Sequence, residues 1–370
     1  MQLDTILLKV ASRCNINCSY CYVYNQGDTS WQRMPKHMSL TTIEDVLRQL
    51  ATLYEDQQRP FAIVLHGGEP LLLPREILET LLQGLADRLP AACTRSIQTN
   101  GTLIDDELFA LCVRTNTTLS VSLDGPAEIH DTFRIAFNGA GTYAHAAAGI
   151  ARIRQHPQAD QIFTGTLCVV DPNSDPRRVY EFFKALAVPS VDFLFKDGNH
   201  AKLPLGKTSI ESTEYGRWLA VVWDCYINDP APPRIRILDD FGRLLLGGTS
   251  IKEGCGQTMY GIAVIDTDGT ITKNDTLKST YDGADRFGKT WSVSTDRLSE
   301  VAASPEFVQY ARLQNPTSPV CQECPLLSVC GGGMPLSRWH PETGFRNPSV
   351  YCADYKLVLG HISETLQGYR

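Results

Sequence analysis

Three cysteines, Cys14, Cys18 and Cys21, stand in a Cys-x3-Cys-x2-Cys spacing within RCNINCSYCYVYN. Thiolates converging from one short loop can hold three irons of a four-iron cluster and leave the fourth iron open. An open coordination position is what a metal site needs to act on a substrate. The competing reading is a zinc site or a set of buried thiols. Zinc usually wants a fourth protein ligand at short spacing, and none lies nearby in sequence. A second group, Cys321-x2-Cys324-x5-Cys330 and then Cys352, lies in a Gly/Pro-rich stretch. Four cysteines can saturate either a cluster or a structural zinc ion, and spacing alone leaves both open.

Other polar segments gather where strands should end. His66-Gly67-Gly68-Glu69-Pro70 follows an apolar run, and its paired glycines would let backbone approach a ligand. Gln98-Thr99-Asn100-Gly101, Ser122-Leu123-Asp124-Gly125-Pro126 and Lys196-Asp197-Gly198-Asn199-His200 take similar places. Each alone reads as an ordinary turn. Their coincidence with the three-cysteine loop points to one functional rim. Cys93, Cys112, Cys168 and Cys225 sit in apolar contexts and read as core thiols.

The elements that must carry these residues alternate. Strands are expected at 5–11, 61–67, 95–100, 119–124, 162–170 and 191–196, with helices between them. One of these helices covers 42–56, with Thr42 as its cap. Six β-α units in a row imply a parallel sheet with its active rim at the C-terminal strand ends, either a partial barrel or an open doubly wound sheet. No GxGxxG follows the first strand, which weakens the nucleotide-binding open sheet. Residues 205–250 read as helical, broken at Pro230–Pro233, and GIAVIDTDGTITKND reads as a hairpin turning at Asp-Gly. The expected organisation is 1–205 as a partial barrel, 206–250 as a helical linker and 251–370 as a Cys-rich domain.

Composition bounds the rest. The 370 residues carry 34 Lys plus Arg against 41 Asp plus Glu, a net charge of −7. An acidic chain without basic clusters is a poor nucleic-acid binder. No apolar run reaches membrane-span length, and the N-terminus lacks a basic n-region. The chain therefore reads as cytoplasmic, where twelve cysteines argue for metal or cluster ligation rather than disulfides.

CxxxCxxC joined to GGEP, QTNGTL and SLDGP resembles the radical S-adenosylmethionine (SAM) superfamily with a C-terminal SPASM domain, over nearly the whole chain. The resemblance implies an α/β fold, a partial (β/α)6 TIM-like barrel with a C-terminal SPASM-type iron–sulfur domain. It also implies SAM on the open iron of a [4Fe-4S] cluster held by Cys14, Cys18 and Cys21, cleaved to a 5′-deoxyadenosyl radical. By position, Gly67, Gly68 and Glu69 would meet the methionine amino group, and Ser122 and Arg134 the ribose and carboxylate. Tyr20 and Leu194 would flank the adenine. Gln98 and Asp124, on the same rim, join the cofactor-binding set.

The tail departs from the full SPASM pattern, because Asn274 and Met334 stand where two cysteines are expected. The resemblance then implies two clusters in all, the auxiliary one held by Cys321, Cys324, Cys330 and Cys352, with Cys255 left over. KDGNH, TDGTITKNDTLKSTYDGA, CGGGMPLSRW and GFRNPSVYCADY resemble the FxsB-type group of peptide maturases. Members of that group join an aromatic carbon to the β-carbon of a nearby residue, forming a cyclophane.

The expected reaction is β-hydrogen abstraction from a precursor peptide, addition to an aromatic ring, and rearomatisation with the auxiliary cluster taking the electron. Asp275 is the first choice for the base, and Asp197 and His200 the second. The expected partners are the peptide and an electron donor such as flavodoxin or ferredoxin; since only 13 residues precede Cys14, precursor recognition is expected from the barrel–SPASM surface or from a separate leader-binding protein. Thioether formation, oxidation, epimerisation and sulfatase-type maturation are the alternatives. The sulfatase type is ranked low because its enzymes resemble the full two-cluster tail. A non-catalytic iron–sulfur or zinc protein leaves the rim unexplained.

Overall fold

The computed structural model describes residues 1–368. Its strands are β1 (Thr5–Ala11), β2 (Ile16–Cys18), β3 (Ala62–Gly67), β4 (Arg95–Thr99), β5 (Thr117–Ser122), β6 (Arg134–Ala136) and β7 (Phe163–Val169). Then come β8 (Val191–Leu194), β9 (Ile262–Ile265), β10 (Thr270–Thr272) and β11 (Trp291–Ser292). The six strands expected of a β-α series are β1, β3, β4, β5, β7 and β8. The short pair β2 and β6 was not legible in the sequence. Three residues give no period to detect.

The chain weaves through two compact units. The first takes 1–123, 130–166 and 260–310, and the second takes 124–129, 167–259 and everything from Ala311 on. The motif-based division into 1–205, 206–250 and 251–370 is sequential, whereas these units interleave. The cause is visible at β9, which leaves the tail to pair in parallel with β1, Leu8 against Ile265. Every residue of β9 is buried, so it needs cover on both faces.

In the first unit the strands run in the order β11-β10-β9-β1-β3-β4-β5. Neighbours β9, β1, β3, β4 and β5 are parallel, and β10 and β11 are antiparallel additions. Side chains alternate across such a sheet. One face holds Ile6, Leu8, Ile63, Leu65, Ile97, Leu119 and Val121, all fully buried. The other face, one residue out of phase, carries Lys9, His66, Gln98, Ser120 and Ser122. The same strands thus supply an apolar core and a polar working surface.

The helix Leu40–Gln57 buries Ile43, Val46, Leu47, Leu50 and Leu53. Each such side chain contributes about 1.5–3 kcal/mol by leaving water. Its cap is Ser39, whose hydroxyl accepts from the Thr42 amide, and not Thr42 as expected. Ser39 has extended backbone (ψ 159°), which a residue one turn inside the helix cannot adopt. The expected hairpin is β9–β10, closed by Gly269 N donating to Asp266 O at 2.9 Å.

In the second unit Val170 N donates to Leu194 O at 2.8 Å, holding the end of β7 to β8. The helices Glu214–Asn228 and Cys352–Gly368 pack together through buried Trp218, Leu219, Val222, Val358 and Leu359. No described helix is long and apolar enough to cross a membrane.

Candidate active site

The three-cysteine loop leaves β1 through an irregularity between Lys9 and Ala11, which pair with consecutive residues His66 and Gly67 of β3. Such bulges re-aim a strand end. The loop then lies directly on the end of β3. Gly68 N donates to Ala11 O at 2.8 Å and Glu69 N to Arg13 O at 2.9 Å. A Cβ on Gly67 would fall 2.1 Å from Ala11 O, and one on Gly68 would fall 2.3 Å from Arg13 O. The paired glycines are therefore required by the approach of the cysteine loop itself, a nearer cause than the ligand approach inferred from sequence.

Two further ties fix the loop. Asn100, at the end of β4, donates to Asn15 Oδ1 at 2.8 Å and lies 3.8 Å from Cys14 Sγ. On the other side β2 pairs antiparallel with β6, Cys18 opposite Arg134. Arg134 Nη1 donates to the Tyr20 hydroxyl at 2.9 Å. Burial pushes the Cys14 thiol up to about 12; the Ile16 amide opposes this, while Glu69, Cys18 and Cys21 add to it. Three thiols on one short loop fit a shared cationic group, which would favour their deprotonated forms.

Rim residues differ in what they have left to offer. The Glu69 carboxylate is buried and accepts from Thr99 Oγ1 at 2.6 Å, Asn100 N at 2.8 Å and Leu71 N at 3.1 Å. Its side chain is committed to holding the rim together. Gln98 donates to Ser122 Oγ at 2.9 Å, so these two candidates act as a pair. Asp124 and Leu194 belong to the second unit, where Asp124 accepts from Val169 N at 3.0 Å and Leu194 ends β8.

Asp275 opens a short 3-10 helix whose cap is Asn274, its side chain accepting from Thr276 N. The residue at the missing cysteine position thus has a capping task. Lys9 Nζ lies 2.8 Å from Asp275 Oδ2, with side chains 5% and 1% exposed. The Tyr22 hydroxyl donates to the same oxygen at 3.0 Å, and Oδ1 has no hydrogen-bond partner. Burial alone would raise this carboxyl. The Lys9 charge, His66 and the hydrogen bonds from Lys9 and Tyr22 outweigh it and hold the group at about 2. Lys9 and Tyr22 were missed in sequence. The available signal was a lone lysine inside the apolar strand TILLKVA.

Asp197 and His200 lie in the second unit. His200 is anchored there, its ring nitrogen 2.8 Å from Pro348 O and its amide donating to Trp339 O at 3.0 Å.

Cys321, Cys324, Cys330 and Cys352 line one apolar pocket together with Val320, Leu326, Leu327 and Tyr355. Among the described residues no three His, Cys, Asp or Glu side chains converge as a single metal ion requires. Zinc, at about 2.3 Å from each sulfur, draws its thiolates together. A cube of iron and sulfide holds them further apart and needs such a pocket. Four thiols around one pocket are a donor set that a four-iron cluster would take. Burial pushes the Cys330 thiol up to about 12, and the buried Cys255 nearby adds to this. Beside it the sulfur of Met334 faces Gly254, 2.9 Å from where a Cβ would stand. Cys93, Cys112 and Cys168 are core residues as expected, but Cys225 is only half-buried, with Arg177 Nη1 3.8 Å from its sulfur.

Residues 8–186 match the family model of the radical SAM superfamily. That segment carries the three-cysteine loop and the rim motifs of a radical SAM enzyme. Over nearly its full length it is similar to a cysteine-type anaerobic sulfatase-maturating enzyme of Clostridium perfringens, 26% identical and covering 96% of this chain and 94% of that protein. A serine-type anaerobic sulfatase-maturating enzyme of Bacteroides thetaiotaomicron is 24% identical, with 98% and 89% covered. Of solved structures, native anSMEcpe with bound AdoMet superposes with a TM-score of 0.84 at 21% identity, covering 99% of this chain and 98% of that one. SuiB of Streptococcus suis bound to precursor peptide SuiA gives 0.65 at 14%, covering 94% and 74%. These likenesses carry the fold through the C-terminal, SPASM-type region. The full-length relatives also reverse the ordering that placed sulfatase-type maturation behind crosslinking.

Proposed function

We propose that this enzyme modifies a peptide or protein at a side-chain β-carbon, beginning with removal of a hydrogen atom. Cys14, Cys18 and Cys21 would hold a four-iron cluster with SAM on its open iron, the source of a 5′-deoxyadenosyl radical. Gly67, Gly68 and Glu69 would meet the methionine amino group of SAM. The Gln98–Ser122 pair, Arg134 and Tyr20 would meet its carboxylate and adenosine parts, with Asp124 and Leu194 assigned by motif alone. Cys321, Cys324, Cys330 and Cys352 would hold a second cluster, a one-electron carrier.

The observation that carries the reading is Asp275. Oxidising a β-carbon or restoring an aromatic ring releases a proton, and a base must take it. Asp275 is buried, ionised and has one oxygen free. Asp197 and His200 are second choices, and His200 is already engaged.

Two outcomes at the β-carbon remain distinct. Oxidation of cysteine or serine is supported by the names of the full-length relatives. Crosslinking to an aromatic carbon is supported by the tail strings and by Asn274 and Met334 in place of cysteines. A peptide substrate in either case is in keeping with the peptide-bound neighbours. An electron donor such as flavodoxin or ferredoxin completes the proposal.

The test is anaerobic reconstitution, metal analysis and a peptide library carrying cysteine, serine and aromatic residues. About eight iron and eight sulfide per chain are expected. A product that reacts with aldehyde reagents marks oxidation. A product that has lost hydrogens and resists fragmentation between two residues marks crosslinking. Zinc in place of iron, or iron without SAM cleavage, would overturn the reading.

A further inference from the structure

We propose that Lys9 is a positioning residue for the reaction: with Tyr22 it occupies Oδ2 of Asp275 and so makes Oδ1 the atom that receives the substrate's proton. This inference rests on the reading of Asp275 as the base. In the step itself a substrate X–H bond breaks and the Oδ1–H bond forms, the electron pair remaining with X.

The geometry assigns the two oxygens different tasks. Lys9 Nζ at 2.8 Å and the Tyr22 hydroxyl at 3.0 Å both meet Oδ2. Oδ1 is equally buried and has no partner. A buried carboxylate oxygen left without a donor costs stability unless something visits it. Lys9 is held in place by the sheet rather than by a flexible loop. Its register partner on β3 is His66, and Asp266 lies one step past the Leu8–Ile265 pair on β9. A Lys9 ammonium between these strand ends places its charge on one side of Asp275 only. Lys9 also lines a small cleft with Gly67, Gly68, Trp31, Asp266 and Lys278.

The charged and titratable groups around Asp275 are Lys9 on β1, Tyr22 on the cysteine loop, His66 on β3, Asp285 beyond the short helix, and Lys278 within it. Asp266 acts on it through Lys9. Burial drives His66 toward its neutral form, and Lys278 is shared between Asp28 and Asp285. Lys9 is therefore the cation committed to Asp275. Without it, burial would favour the protonated carboxyl, which cannot act as a base.

The test uses the reconstituted full chain and whichever library peptide the wild type modifies. The readout is product formed per 5′-deoxyadenosine released, from pH 6 to 9. Lys9→Met is expected to lower this ratio at least tenfold at neutral pH and to recover as pH rises. Lys9→Met with an unchanged ratio at every pH overturns the proposal. Lys9→Arg keeps the charge but offers a planar fork that can also reach Oδ1. It is expected to keep the wild-type pH profile at a several-fold lower plateau. If Lys9→Met does not fold, Lys9→Arg decides: a lowered plateau supports the proposal, and a wild-type plateau overturns it. Failure of the underlying reading looks different, because Asp275→Asn would then modify the peptide as well as wild type.

Discussion

Each compact unit buries a lysine–aspartate pair, and the two pairs are built differently. In the second unit Lys207 Nζ meets Asp354 Oδ2 at 2.6 Å while Gly216 N donates to Oδ1 at 2.7 Å, so both oxygens are used. Lys207 also donates to Ser212 O at 2.6 Å. In the first unit Lys9 and Tyr22 crowd Oδ2 of Asp275 and leave Oδ1 alone. Both pairs are at most 5% exposed, so burial does not distinguish them. Saturation does. A closed pair is a structural clamp between the loop before one helix and the start of another. A pair with one oxygen unspent, beside the cysteine loop, is suited to receive a proton.

The largest expected difference follows from the two aspartates. Asp275→Asn should cut peptide product at least about a hundredfold while SAM cleavage persists, the loss typical of removing a general base. Product and 5′-deoxyadenosine are quantified from the same reaction. Equal product from the variant would make Asp275 as structural as Asp354.

Lys207→Met should act on stability instead. Removing one member of a buried pair costs about 3–5 kcal/mol. The urea midpoint should fall accordingly, with the product-to-cleavage ratio of the folded fraction unchanged. A changed ratio would mean that the second pair also serves the chemistry.

Acid provides a third comparison. The Asp275 carboxyl is lowered from 3.8 to about 2. Its contribution to stability is complete above the unfolded value and is lost as pH falls from about 4 through about 2, amounting to roughly 2 kcal/mol. In cluster-free protein, Asp275→Asn should flatten that part of the urea-stability profile. An unaltered acid limb would place the acid-sensitive groups elsewhere.

The smallest effect is expected from Tyr22→Phe. It removes one of two donors to Oδ2 and keeps Lys9. With Lys9 still on Oδ2, the loss should lie at the low end of the range of about 1.5–3 kcal/mol that a hydrogen bond to a charged group contributes. The ratio of product to cleavage should fall by about tenfold or a little more, with no shift of the pH profile as large as that of Lys9→Met.

The sequence by itself determined much of this protein. Alternating apolar runs placed six strands close to their observed bounds, because buried parallel strands must be apolar and must be punctuated by turn residues. The Cys-x3-Cys-x2-Cys loop and the cysteine quartet were legible because ligand spacing is local chemistry. The cap at Ser39 was misplaced by three residues, since Thr42 is an equally good capping residue and only the backbone conformation chooses.

What the tertiary structure decided was every relation between residues distant in the chain. The β2–β6 pair joins Cys18 to Arg134, the ends of β1 and β3 meet through Gly67 and Gly68, and Lys9 meets Asp275 across more than two hundred and fifty residues. Sequence marks Asp275 as a candidate carboxylate. Only the fold removes water from it, brings a single cation to one of its oxygens and leaves the other oxygen free.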